Sequence, residues 1–317
     1  MTENKVKDKD GITKKYLGKN DIFADVFNYF LYDGRSVIDK DKLVDIEPNL
    51  YVNVPEEVKR IRDLYKKIEI KNDGKITYLL LGIENQTTNL NGMVLRNLLY
   101  DVISYDKQAF DIVNSRKNGK IKSRGIYQYR DITLDDKLSP IITLVIYFSH
   151  KKWRGYRNFI DMVDISDPKI KDYLIDYKLN IIEPNFMTEN DFEKFKTEIG
   201  LVLESIKYSN DKNKFLKSIQ NKKDYKNMSV DTVELINSVT NLELNYKEKE
   251  GRVNMCKAIE DLKKDWKAEG IEVGIETGKT QELNNNIKTM HSNGFDEETI
   301  AKALSLDIKY VKDVLAK

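Results

Sequence analysis

The chain has 317 residues, 40% of them hydrophobic and 33% charged, which leaves room for one sizeable domain plus a smaller module and excludes a disordered polyelectrolyte. A net charge of +2 and a single cysteine, Cys256, exclude an internal disulfide, fit a reducing cytoplasm, and oblige any nucleic-acid affinity to come from local basic patches. With only His150 and His291, a multi-histidine metal site is excluded as well, so any metal would be held by oxygens, which points to Mg²⁺ or Mn²⁺.

No apolar run approaches the ~20 residues of a membrane span. Residues 1–19 are polar and mixed in charge; they read as a flexible N-terminus without a signal-peptide core. Phe23, Phe27 and Phe30 predict a helix over residues 21–32, ending near Asp33-Gly34. Pro48 and Pro55 bracket a non-helical connection. Two β-prone runs, 63–71 and 76–84, then flank Asn72-Asp73-Gly74-Lys75. A helix follows over 92–113, with Met93, Val94, Leu98, Leu99, Val102 and Ile103 as its expected buried stripe. Residues 114–130 carry Arg116, Lys117, Lys120, Lys122 and Arg124 with little periodicity, and read as a basic loop. The continuous apolar run 140–148 suits a strand buried on both faces, and 177–182 suggests another. Helix, strands, helix, strand is the order of an α/β layered domain.

From residue 189 the pattern becomes helical. Phe192, Phe195, Ile199 and Val202 form one stripe, and further helices are expected over 215–219 and 230–239. Residues 250–290 alternate in charge and carry Gly270, Gly274 and Gly278 at four-residue spacing. Each glycine costs a helix about 1 kcal/mol. The stripe either admits a second helix at close range, as in a homodimer, or marks a poorly constrained linker. Residues 296–315 read helix, short turn, helix. That is either a helix-turn-helix whose second helix reads the major groove, or a small three-helix packing or dimerisation module; Asp307 and Asp313 beside Lys309 and Lys312 leave it weakly basic. The division expected is 1–19, a core at 20–185, a helical extension at 186–250 and a helical tail at 251–317.

The hairpin carries the chemistry. Asp-Gly between β-prone runs is a strong signal for a type I′ turn, which needs positive φ at both central residues. If Asp73 and Gly74 are the two loop residues, Asn72 pairs with Lys75, and counting outward sets Asp63 opposite Glu84. Directly opposed side chains share a face with Cβ atoms roughly 5 Å apart, and two carboxylates so placed repel unless a cation sits between them. Glu84 and Gln86 share that face, being two apart on one strand. An acidic pair on a wet sheet face would be unremarkable. Here Tyr65, Lys67, Tyr78 and Leu80 accompany the pair, while Leu64, Ile68, Ile70, Leu79, Leu81 and Ile83 form a core face, so the site is walled.

The run from Tyr78 through Gly82, Glu84 and Gln86, followed by Met93-Val-Leu-Arg96-Asn-Leu-Leu-Tyr100-Asp101, resembles the recombination-promoting nuclease / putative transposase family of the PD-(D/E)XK phosphodiesterase superfamily. Residues 20–34, with Asp25 and Asn28, look like its opening helix, and 140–148 like its next core strand; the likeness covers roughly residues 20–260. It implies a restriction-endonuclease-like α/β core, a mixed sheet flanked by helices, and a metal-dependent DNA endonuclease linked to recombination, mobile elements or phage defence. Two features depart from the superfamily pattern: Arg62 replaces the proline before Asp63, and Gln86 replaces the lysine, as the family leads one to expect.

A hard cation held by Asp63 and Glu84 can activate water and polarise a phosphate. The Asn85 carbonyl is a further expected ligand, and Asp25 another, as an acid there serves parts of the superfamily; helix-capping and surface readings compete for Asp25. Gln86 cannot act as a base near neutral pH but can orient water or donate to a phosphate oxygen. Arg96 and Lys67 are the expected compensating cations, with a surface salt bridge the competing reading for Arg96. Lys67, Arg116, Lys120, Lys122 and Arg124 are the expected nucleic-acid contacts. A catalytically weak DNA-binding scaffold, and a nuclease toxin restrained by its own C-terminal segment, remain alternative functions.

Overall fold

The computed structural model describes residues 9–46, 63–72, 75–117, 129, 131–240, 242 and 244–316. The chain divides into two units, Met1–Cys256 and Lys257–Lys317.

The first unit is built on a five-stranded mixed sheet of order β1 (Val44–Asp45), β2 (Leu64–Asn72), β3 (Lys75–Gln86), β4 (Ile141–Tyr147) and β5 (Asn180–Ile182). β1, β2 and β3 are antiparallel neighbours, while β4 runs parallel to both β3 and β5. Alternation along a strand sends successive side chains to opposite faces, and both faces are covered. One meets α1 (Lys9–Leu17) and α2 (Asn20–Tyr32). There Ile68, Leu81 and Ile83 are buried, as are Leu17, Phe23 and Phe27. The aliphatic stem of Lys66 lies on this apolar face too, its ammonium donating to Gly18 O at 2.9 Å and Asn20 Oδ1 at 2.7 Å, with Asp45 Oδ1 at 2.5 Å. A buried lysine is tolerated because all three N–H groups are satisfied.

The other face is covered by α3 (Met93–Arg116). Met93 and Val94 pack with Val145 and Tyr147, and Thr143 donates to Asp101 Oδ1 at 2.6 Å. The expected buried stripe of α3 needs correction here. Met93 and Val94 are buried, but Leu99 and Val102 are 41% and 54% exposed, and Asn97, Asp101 and Ser104 face inward instead. The sheet face beneath α3 carries the buried polar side chains of Glu84 and Thr143 among its apolar ones, and buried polar groups select polar partners.

The N-terminus is a second correction. Residues 9–17 are helical, with Thr13, Tyr16 and Leu17 buried, so this part of the expected flexible segment belongs to the core. α2 stops where expected: Asp33 and Gly34 adopt positive φ of 55° and 83°, and Gly34 N bonds back to Asn28 O. A Cβ at Gly34 would stand 2.8 Å from Lys194 O, so the turn and the close approach both select glycine. The expected strand 177–182 is shorter, β5 beginning at Asn180 after an isolated bridge between Lys178 and Asn158.

Four helices follow: α4 (Glu189–Glu193), α5 (Ile199–Tyr208), α6 (Lys212–Asn221) and α7 (Val230–Thr240). Phe192, Phe195, Ile199 and Val202 are all buried. A small sheet of order β6 (Met228–Ser229), β8 (Arg252–Val253) and β7 (Glu248–Lys249) was not legible, its strands being two residues each.

α8 (Met255–Ser292) leads into the second unit, which continues with α9 (Glu297–Leu304) and α10 (Ile308–Leu315). Ile287, Ile300, Ala301, Val311 and Val314 form its core, and Asp296 and Asp307 cap the last two helices with side-chain bonds to Thr299 N and Lys309 N. The helix-turn-helix outline at 296–315 is thus present. A Cβ at Gly274 or Gly278 would meet nothing within 4 Å, so no other part of the described chain approaches those two positions. No helix among the described residues is long and apolar enough to cross a membrane.

Candidate active site

The hairpin has the register counted from its turn. β2 and β3 pair from Asn72 with Lys75 out to Leu64 with Ile83, which leaves residues 73 and 74 as the loop, themselves outside the described residues. One step further out, Asp63 stands opposite Glu84. Asp63 N lies 3.4 Å from Glu84 Oε1, and Asn85 N donates to Asp63 Oδ2 at 2.9 Å. With its amide turned so that nitrogen meets oxygen, the Asn85 side chain also donates to Asp63 Oδ2 at 3.1 Å and to Asp10 Oδ1 at 3.2 Å. At the end of β3, Glu84 thus reaches the backbone of Asp63 while the Asp63 carboxylate reaches the backbone of Asn85.

Their environment is closed. The Glu84 side chain is 0% exposed and that of Asp63 10%. Of the four residues expected to wall the site, Tyr65 and Leu80 are buried, while Tyr78 and Lys67 are exposed. Each carboxylate has a cation. Arg96 Nη2 lies 3.0 Å from Glu84 Oε2, and Arg96 Nε donates to the Tyr100 hydroxyl at 2.9 Å. Lys14, on α1, stands 3.0 Å from Asp63 Oδ1 and 2.6 Å from Asp10 Oδ2. Burial works against the charge of both cations. For Arg96 the opposing pull of Glu84, Tyr100 and Asp63 is greater, and its pKa is raised above the ordinary guanidinium value. For Lys14 the hydrogen bonds to Asp10 and Asp63 likewise prevail over burial and raise its pKa. Cations thus flank the acidic pair, Arg96 beside Glu84 and Lys14 between Asp63 and Asp10, and they offset the repulsion that an isolated acidic pair would suffer.

Lys14 was missed by sequence reasoning. Only the Asp10–Lys14 spacing of four on a helix was visible, and that spacing describes an ordinary surface pair. Gln86 ends β3 on the Glu84 face, opposite Tyr147 of β4. Its backbone carbonyl accepts from Phe148 N at 2.7 Å, while its side-chain amide makes no hydrogen bond among the described residues. Asn97, next to Arg96 on α3, is fully buried with neither amide atom hydrogen-bonded among the described residues. Such an orphan is the normal place for an ordered water.

Other expected residues lie elsewhere. Asp25 accepts from Lys196 N, Thr197 N and the Thr197 hydroxyl, at 2.7–3.0 Å. It clamps α2 to the turn before α5, and among the described residues nothing joins it to Asp63 or Glu84. Lys67 is exposed, opposite Leu80, with its ammonium 4.6 Å from the Tyr78 ring centroid. Arg116 is tied to Asp136 Oδ2 at 2.6 Å and Asp131 O at 2.8 Å, so its charge is already matched. Lys120, Lys122 and Arg124 lie outside the described residues.

Among the described residues no cluster of three or more His, Cys, Asp or Glu side chains is arranged around a metal position. The protein donors gathered here are two carboxylates, with main-chain and amide oxygen nearby. An all-oxygen set with few protein ligands suits Mg²⁺, which keeps several waters and takes one or two carboxylates.

The family model described as "Putative transposase, YhgA-like" matches residues 7–241, a span that includes α1 with Lys14 and the whole acidic hairpin. No curated protein and no solved structure matches the chain.

Proposed function

The chain belongs to the YhgA-like family of putative transposases, and from that membership together with the site geometry we propose a metal-dependent DNA endonuclease with a PD-(D/E)XK-type core, acting in mobile-element movement, recombination or phage defence. The observation that carries the reading is the facing pair Asp63 and Glu84, closed off from solvent at the end of β3 with the unengaged Gln86 amide beside it. A fold that merely bound DNA would have little reason to bury two neighbouring carboxylates, because buried charge costs several kcal/mol per ion even when paired.

Asp63 and Glu84 would hold Mg²⁺, with the Asn85 carbonyl as a further donor. The ion, when bound, lowers the pKa of the attacking water and polarises the phosphate. Lys14 and Arg96 then no longer have to balance the carboxylates alone. Both can offer N–H groups to the non-bridging oxygens of the scissile phosphate, the role that the lysine replaced by Gln86 would otherwise fill. Gln86 orients the attacking water through its amide; it cannot accept a proton near neutral pH. Asp25, already engaged by four donor contacts, supports the fold and is left out of the ligand set.

Supercoiled plasmid tests the reading. Purified full-length protein is expected to nick or linearise it with Mg²⁺ and to leave it intact in EDTA. Gln86→Lys, which adds a charge beside the phosphate, should stay active, while Gln86→Leu should lose about 10–100-fold, the scale of one positioned proton or water contact. Cleavage that persists in EDTA, or equal rates for Gln86→Leu and wild type, would remove the metal or the amide from the mechanism.

A further inference from the structure

The segment after β4, Ser149-His-Lys-Lys-Trp-Arg-Gly-Tyr-Arg157, holds four Lys or Arg residues and no acid. Its position follows from the sheet. β4 is parallel to β3 with Tyr147 opposite Gln86, so the chain leaves β4 at the same edge at which β3 delivers Glu84 and Gln86. Two backbone contacts hold it there: Phe148 N donates to Gln86 O at 2.7 Å, and Arg154 N to Asn89 Oδ1 at 2.9 Å.

The loop is internally braced. Trp153 is buried, edge-on to Tyr147 with ring centroids 5.2 Å apart, and its backbone N donates to Glu183 Oε2 at 2.8 Å. The second Glu183 oxygen binds Arg157. A Cβ at Gly155 would stand 2.9 Å from the Trp153 ring, so glycine is what lets the chain fold over the indole. Of the four cations, Arg157 is consumed by this brace. Lys151, Lys152 and Arg154 are exposed and make no ion pair among the described residues. Lys152 lies over the Phe186 ring at 5.4 Å, a contact that leaves its charge available.

Charge runs are ordinarily solvated and flexible. Here three unmatched cations are mounted on a packed tryptophan, and ordering them costs entropy that surface lysines normally avoid. Neutralised phosphates repay such ordering, since each contact releases condensed counterions. We propose that loop 149–157 is a phosphate-backbone clamp that seats a DNA strand across the strand ends carrying Gln86, with Lys151, Lys152 and Arg154 as the contacting groups. It rests on the nuclease reading for its choice of partner, and it gives that reading the basic surface that the modest net charge of +2 does not supply.

Binding in EDTA separates the two. Fluorescence anisotropy with a short labelled duplex, titrated over a salt series, compares wild type with the triple variant Lys151→Gln, Lys152→Gln, Arg154→Gln. A control triple, Lys217→Gln, Lys223→Gln, Lys226→Gln, removes equal charge from exposed lysines elsewhere in the same unit. The loop triple is expected to weaken binding about 10–100-fold and to lower the slope of log K against log salt by about 2–3, as loss of three phosphate contacts requires. The control should change neither by more than a fraction of this. Absence of wild-type binding, or equal losses in the two triples, would overturn the clamp. Loop-dependent binding without metal-dependent cleavage would instead overturn the nuclease reading and leave the clamp standing.

Discussion

Glu84→Ala is expected to lower Mg²⁺-dependent DNA cleavage by at least ~100-fold and to destabilise the metal-free protein by about 2–3 kcal/mol. From the hairpin alone the second effect would have the opposite sign, because removing one of two opposed carboxylates relieves repulsion. The structure reverses it. Glu84 is fully buried and faces Arg96, whose side chain is 23% exposed. Deleting the acid strands a guanidinium that is only partly wet. A fully buried pair loses about 3–5 kcal/mol on such a deletion, and the residual solvation of Arg96 places the expectation below that. The double variant Glu84→Ala, Arg96→Met should recover more than half of the loss, since it removes the stranded charge. Urea unfolding in EDTA measures all three, and a single variant no less stable than wild type would show that the ion pair does not contribute.

Lys14→Met is expected to lower the maximal cleavage rate about 10–100-fold while moving the Mg²⁺ midpoint to lower concentration. The two effects have one origin. In the metal-free protein Lys14 occupies Asp63 at 3.0 Å, so an entering cation competes with an ammonium; without it Asp63 is unopposed. The rate falls because the charge that Gln86 does not bring would no longer come from α1. A brace of purely structural importance would move unfolding and leave the Mg²⁺ midpoint where it was. Activity titrated against Mg²⁺ distinguishes these outcomes directly.

The legible part of this protein was the part set by local rules. A two-residue turn fixes hairpin register, and period-two alternation then fixes which face Asp63, Glu84 and Gln86 share. The observed pairing from Asn72–Lys75 to Leu64–Ile83 follows from those two rules alone. The phenylalanines of α2 and the buried stripe of α5 were legible through helical periodicity in the same way. Three things were not. Lys14 reaches Asp63 only because α1 docks beside the hairpin, and nothing in residues 9–17, with their weak amphipathicity, signals that docking. The inward face of α3 was misread because apolar periodicity was followed where the sheet beneath sets polar groups among apolar ones; Asp101, held by Thr143 and Tyr177, marks the true face. The basic loop 149–157 was passed over because its importance lies in the parallel crossover that brings it beside Gln86. Asp25 shows the converse error: a position that the resemblance offered as a ligand is used to tie α2 to the chain before α5.

The central claim is that Asp63 and Glu84 together hold the divalent cation with which the chain cuts DNA. Iron-directed cleavage of the protein itself asks this most directly. Fe²⁺ substituted for Mg²⁺ and cycled with ascorbate generates radicals that cut the polypeptide beside the bound ion. The account predicts cuts clustered around Asp63 and between Glu84 and Gln86, suppressed by excess Mg²⁺ and absent in Asp63→Asn. Cuts confined to other segments, or an unchanged pattern in Asp63→Asn, would contradict it.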